Sequence, residues 1–152
     1  MKLAEALIQR GDIQKRLAQL QDRLKRCAWV QEDEKPYEDP AKLRLEIAAL
    51  IRQLETLVYR INEANMTTRL PSGMTLTEAL ALRDALTMHQ AILRSVADAA
   101  SERMDRIGRA EIRRVPTFDV AQMRDEIDTL AKQRREIDTA IQAANWATDI
   151  SE

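Results

Sequence analysis

The sequence predicts an all-α fold: a tandemly duplicated helical hairpin forming a long up-down-up-down four-helix bundle or coiled-coil-like assembly. Three observations predict it. The composition is that of long helices, with 45% hydrophobic and 32% charged residues but 3% aromatic residues, 3 Gly and 4 Pro in 152 residues. Four stretches carry apolar residues three and four positions apart. The second half of the chain also repeats the first, which is the signature to seek before arguing topology.

The first element is expected near residues 2–29. Leu3, Ala6, Ile13, Leu17, Leu20, Leu24 and Cys27 form its stripe, with Arg10 on the same face. Gly11 weakens it by about 1 kcal/mol relative to Ala. Trp29 is expected to cover its apolar end. The polar stretch QEDEKPYED leads to Asp39-Pro40, an N-cap followed by a residue whose φ is already helical. The second helix then carries Leu43, Ile47, Leu50, Leu54, Leu57, Ile61 and Ala64. Ile51 and Val58 widen the stripe, and the helix should end near Asn65.

TTRLPSG reads as a turn, after which Thr75 and Glu78 form a capping box. The third stripe is Leu82, Leu86, Leu93, Val96, Ala100 and Ile107, and Ile112 to Val115 are expected to be briefly extended. Asp119 caps the fourth helix. Its stripe is Val120, Met123, Ile127, Leu130, Ile137, Ile141 and Ala144, interrupted by Arg134, and Trp146 is expected to cover its end.

The repeat is visible in polar residues as well as apolar ones. At an offset of 73, Met1, Leu3, Glu5, Ala6, Leu7 and Arg10 meet Met74, Leu76, Glu78, Ala79, Leu80 and Arg83. At an offset of 80 the matches include Arg23/Arg103, Pro36/Pro116, Asp39/Asp119, Arg44/Arg124, Glu46/Glu126, Gln53/Gln133, Asn65/Asn145 and Thr68/Thr148. Periodicity alone accounts for matched Leu and Ile, not for matched charges and loop spacing. The offsets differ by one heptad, an insertion that nearly preserves a helical face. A single all-helical domain over 1–152 is expected, with repeats of about 1–72 and 73–152. The two hairpins either complete one bundle or close on a partner subunit.

That topology gathers Glu5, Arg10, Asn65, Thr68, Glu78, Arg83, Asn145 and Thr148 at one end. Arg10 and Arg83 fall near the apolar seam, where an unpaired charge is costly, so each calls for an acceptor; Glu5, Glu78 and the Asn amides are at hand. The cluster either caps helices and fixes register or forms a small pocket for an anion or other polar ligand. A second cluster is Asp98, Glu102, Asp105, Arg109 and Glu111. Its acidic residues resemble the magnesium-holding pairs of helical nucleotide pyrophosphohydrolases, although interleaved arginines also describe a solvated face.

Much else is excluded. The 24 basic and 25 acidic residues leave a net charge of −1, which argues against a nucleic-acid partner. Cys27 is alone, so no internal disulfide or zinc site is expected, and no cofactor or metal is called for. His89 has Leu86 three positions before it, so no Glu-x-x-His di-iron pair exists, and it is read as a packing residue near the seam. No phosphate-binding glycine loop or nucleophile arrangement is present. No run approaches the ~18 apolar residues of a spanning helix. The opening Met1-Lys2-Leu3-Ala4-Glu5 lacks the apolar stretch of a secretion signal, and a cytoplasmic location is expected. The loop acids Glu32, Asp33, Glu34 and Glu38 and the loop bases Arg106, Arg109, Arg113 and Arg114 are expected to pair with each other or with a neighbouring subunit.

MKLAEALIQRGDIQKRLAQL, TLTEALALRD, ADAASERMDRIGRAEI and IQAANWAT together resemble the small bacterial septicolysin-like family across nearly the whole chain. The family is helical and largely unassigned in function, and its name implies membrane lysis. Where it usually carries Tyr-Ser-Arg-Ser-Glu-Ile, Arg109, Glu111 and Ile112 match, but Ile107, Gly108 and Ala110 replace the three hydroxyl residues. The reading that follows is a non-catalytic helical interaction protein that forms homo-oligomers or holds a protein partner through amphipathic helices. A metal-dependent hydrolase acting on nucleotides and a membrane-active protein are its alternatives.

Overall fold

A computed structural model describes residues 1–101 and 114–150. Its fold is all-α, as expected. The described residues hold four helices, α1 (Leu3–Arg26), α2 (Pro40–Thr67), α3 (Leu76–Ser101) and α4 (Val120–Ala147). None of them is long and apolar enough to cross a membrane.

The starts follow from capping. Asp39 accepts the Ala41 N–H at 2.9 Å, and Pro40 opens α2. Asp119 accepts the Gln122 N–H at 3.1 Å and opens α4. Each side chain satisfies an amide that the first helical turn leaves without a partner. Helix α1 stops at Arg26, earlier than its stripe indicates, because the Cys27 N–H turns back to the Leu24 carbonyl at 3.0 Å. Trp29 therefore lies beyond the helix and is 91% exposed; Trp146 is 57% exposed. Neither covers an apolar end, contrary to expectation. The expected continuation of α3 to Ile107 and the extended start at Ile112 fall outside the described residues.

The chain forms two compact units. The first is Met1–Arg69 with Gln142–Glu152, and the second is Leu70–Ile141. In the first, α1 and α2 pack as an antiparallel hairpin around Ile13, Leu20, Leu43 and Leu57. Arg16 Nη2 reaches Glu46 at 2.7 Å, and Arg23 binds Glu38 through Nε and Nη2. In the second, α3 and α4 run antiparallel with Ala97, Ile127, Leu130 and Ile141 buried. His89 faces Glu126 at 3.9 Å, and Arg124 reaches Asp98 at 3.4 Å and Ser101 at 3.1 Å.

The two hairpins carry the same bonds at matched positions. The Lys2 N–H donates to Glu5 at 2.7 Å, and the Thr75 N–H donates to Glu78 at 2.7 Å. Thr68 N–H donates to Ala64, and Thr148 N–H to Ala144, both at 2.9 Å. At offsets of 73 and 80, the Arg16–Glu46 pair occupies the positions of His89–Glu126.

Candidate functional site

The polar residues singled out in the sequence lie where the helices begin and end. Glu5 and Glu78 hold the N–H groups of Lys2 and Thr75, and Glu78 Oε2 also accepts the Thr75 hydroxyl at 2.9 Å. The Glu78 N–H returns to Thr75 Oγ1 at 3.2 Å, which completes the capping box. Thr148 supplies its carbonyl to the Leu3 N–H at 2.9 Å. Asn65 and Thr68 are half-buried, and Asn145 is buried. Glu5, Arg10, Asn65, Thr68, Asn145 and Thr148 belong to the first unit, and Glu78 and Arg83 to the second.

The arginines differ from expectation. Arg83 donates to Asp84 at 2.9 Å and stands 3.8 Å from the Asp138 carboxylate, rather than pairing with a capping glutamate or an Asn amide. Arg10 is half-buried and makes no ion pair among the described residues. Both outcomes have one physical reason. The glutamates sit in the first helical turn, where backbone amides are nearer and already oriented.

Asp98, from the second predicted cluster, is 60% exposed and bound by Arg124. Glu102, Asp105, Arg109 and Glu111 lie outside the described residues. Among the described residues no group of three or more His, Cys, Asp or Glu side chains could hold a metal. His89 is 52% exposed beside Glu126 and is not packed in the seam. Of the loop acids, Glu38 belongs to Arg23 of its own hairpin; this hydrogen bond holds its carboxyl below the usual range.

The head and tail of the first unit form a small tertiary device. The Leu3 N–H meets the Thr148 carbonyl and the Ile150 N–H meets the Met1 carbonyl, both at 2.9 Å. Lys2 Nζ binds Asp149 at 2.8 Å and the Ala147 carbonyl at 3.2 Å. The hydrogen bond from Lys2 holds the Asp149 carboxyl below its usual value. Leu3 is 0% exposed and Ile150 is 6% exposed.

Sequence reasoning did not find the surfaces that the hairpins leave open. The first unit holds a 490 Å³ groove lined by Gln9, Ile13, Arg52, Gln53, Leu57 and Arg60. A 550 Å³ groove at the matched place in the second unit is lined by Leu82, Leu86, Gln133, Glu136, Ile137 and Ala140. Both are mainly apolar, the second more so. A third groove, 420 Å³, runs along α1 and α2 past Leu17, Leu24, Ile47 and Ile51. Helix α3 also carries an exposed apolar face: Ala81, Ala85, Met88, Ile92, Val96 and Ala99. Val96 was expected on the core stripe and is 40% exposed. The missed signal was a second apolar line next to the Leu82–Leu86–Leu93 stripe.

Residues 10–150 match the model of a family described as of unknown function, DUF6847. The chain is also similar to a functionally unknown conserved protein from Corynebacterium diphtheriae, known from a crystal structure. The two are 40% identical, with a TM-score of 0.91 and 99% of each chain covered. No curated protein matches.

Proposed function

The chain belongs to the DUF6847 family, a family of unknown function, and we propose that it is a non-catalytic helical assembly protein. It holds protein partners, further copies of itself foremost, through the apolar flanks of its hairpins. One observation carries this reading: stripe residues whose spacing marks them as core are incompletely covered. Leu17, Leu24, Leu50, Leu54, Leu86, Leu93 and Ile137 are half-buried, and Ile51 is 51% exposed. A two-helix hairpin has one apolar face too many, and covering it is favourable by about 25 cal/mol per Å² removed from water.

The polar groups at the helix ends favour the same reading, since Glu5, Glu78 and Thr148 are engaged in capping and closure. Light scattering on the eluting full-length chain and sedimentation at micromolar concentration test it. The expected result is a mass above 17.4 kDa. A strict monomer with no partner in pulldown, or turnover in a nucleotide panel with magnesium or manganese, would overturn it.

A further inference from the structure

The two hairpins carry grooves at matched places, and the charges around those grooves have diverged. In the first unit Ile13 and Leu57, 7% and 6% exposed, form the buried floor of the 490 Å³ groove. Arg52, Thr56 and Arg60 stand four apart on α2 and follow one row along it, with Gln53 beside them and Gln9 on α1. Neither guanidinium has a hydrogen bond or ion pair among the described residues, and neither does the side chain of either glutamine. Glu55 and Glu63 come three positions after the arginines, but they lie outside the groove and pair with neither.

The second unit serves as an internal control. At an offset of 80, Arg52 corresponds to Lys132, Thr56 to Glu136 and Arg60 to Ala140; at an offset of 73, Gln9 corresponds to Leu82. There the cation is answered from within, since Lys132 Nζ stands 4.0 Å from Glu136, which lines that unit's groove. The first unit has a threonine in place of that glutamate and an arginine in place of the alanine. One scaffold therefore holds a groove whose charge is balanced internally and another with two arginines over an apolar floor and no counter-ion. A guanidinium offers a planar fork that matches a carboxylate or a phosphate.

We propose that the groove of the first hairpin binds a small organic anion with an apolar body. Arg52 and Arg60 hold its carboxylate or phosphate, Gln9 and Gln53 supply further donors, and its hydrocarbon lies on Ile13 and Leu57. The volume suits such a ligand, because small-molecule pockets measure about 300–1,000 Å³. The helical rise sets the Cα atoms of the two arginines about 12 Å apart, a gap that two long side chains close from either side onto one head group. A bare inorganic anion leaves the floor unused, and a neutral hydrocarbon leaves the arginines unused. This site goes beyond the assembly reading and does not depend on it.

Titration calorimetry on the full-length chain tests it with four probes: octanoate, octyl phosphate, inorganic phosphate and octanol, the amphiphiles kept below micelle formation. Saturable binding of octanoate or octyl phosphate is expected, the tighter of the two naming the head group, with inorganic phosphate and octanol weaker by about ten-fold or more. Two variants copy the second hairpin: Arg60→Ala removes a cation, and Thr56→Glu installs the internal counter-ion. Each should weaken the favoured amphiphile by about ten-fold or more with helicity unchanged, while Lys132→Ala should bind as the wild type does. The proposal is overturned if neither amphiphilic anion binds, if octanol binds as tightly, or if either copying variant that keeps its helicity binds like the wild type. Light scattering on the same samples reads assembly separately, so loss of this site leaves the assembly reading standing, and a monomeric chain leaves the site standing.

Discussion

Ile150 donates its backbone N–H to the Met1 carbonyl at 2.9 Å, and Leu70 donates to Met74 at 2.8 Å. By the repeat, Leu70 and Ile150 are equivalent, as are Met74 and Met1. One contact spans Pro71-Ser72-Gly73 and the other joins the two ends of the chain. The linker therefore contributes chain connectivity rather than a unique geometry. Fusing Ile150 to Met1 through Pro-Ser-Gly, with new termini opened between Ser72 and Gly73, should give a folded permutant. Circular dichroism should show unchanged helicity and a melting temperature within a few degrees of the parent. A permutant that stays unfolded would mean that the two contacts are not interchangeable.

A second matched pair has diverged. Arg16 and Glu46 meet at 2.7 Å, whereas His89 stands 3.9 Å from Glu126. His89→Arg should restore the contact of the first hairpin. Both side chains are about half exposed, so the gain is small, about 0.2–1 kcal/mol. Melting in low salt should rise by a few degrees at most, and high salt should erase the rise. A loss of stability would show that the longer side chain has no room there.

The starts of α2 and α4 were legible because Asp39 and Asp119 are local devices whose hydrogen bonds close within two or three residues. The hairpins were legible through their stripes. The end of α1 was not, since the stripe runs on to Cys27 while the backbone turns at Leu24. The outer face of α3 was hidden for another reason. Two adjacent apolar lines make one broad arc, and only the placement of α4 shows which line faces inward. The carboxylates that face Arg83 were hidden likewise. Asp84 beside it and Asp138 on α4 are reached by the direction of the side chain, which the repeat does not encode.

The contact between Arg23 and Glu38 sets a pH dependence. Glu38 lies below its ordinary value of 4.5, held there first by hydrogen bonding from Arg23 and further by the arginine's charge. The unfolded chain therefore takes up this proton first as acid is added. The stability that the contact supplies is complete above the ordinary value and is lost as the pH falls through the lowered folded one. Glu38→Gln should melt below the wild type at neutral pH, and the two curves should converge as the medium is made more acidic than 4.5. A difference that is the same at neutral and acidic pH would assign the effect to packing instead.

Gly11 and Gly73 offer the opposite substitutions in one chain. Gly11 lies within α1, and a Cβ built there meets nothing within 4 Å. Alanine loses less backbone freedom on entering a helix, so Gly11→Ala should stabilise by about 1 kcal/mol, near 2–4 °C for a chain of this size. Gly73 also has open space around its Cβ position, yet its φ is +88°, which a side chain strains. Gly73→Ala should therefore destabilise by roughly 1 kcal/mol or more, because the turn that carries Leu70 back to Met74 requires that φ. Thermal melts of the two variants should move in opposite directions. The sign is set by backbone conformation alone, since neither substitution meets a neighbour.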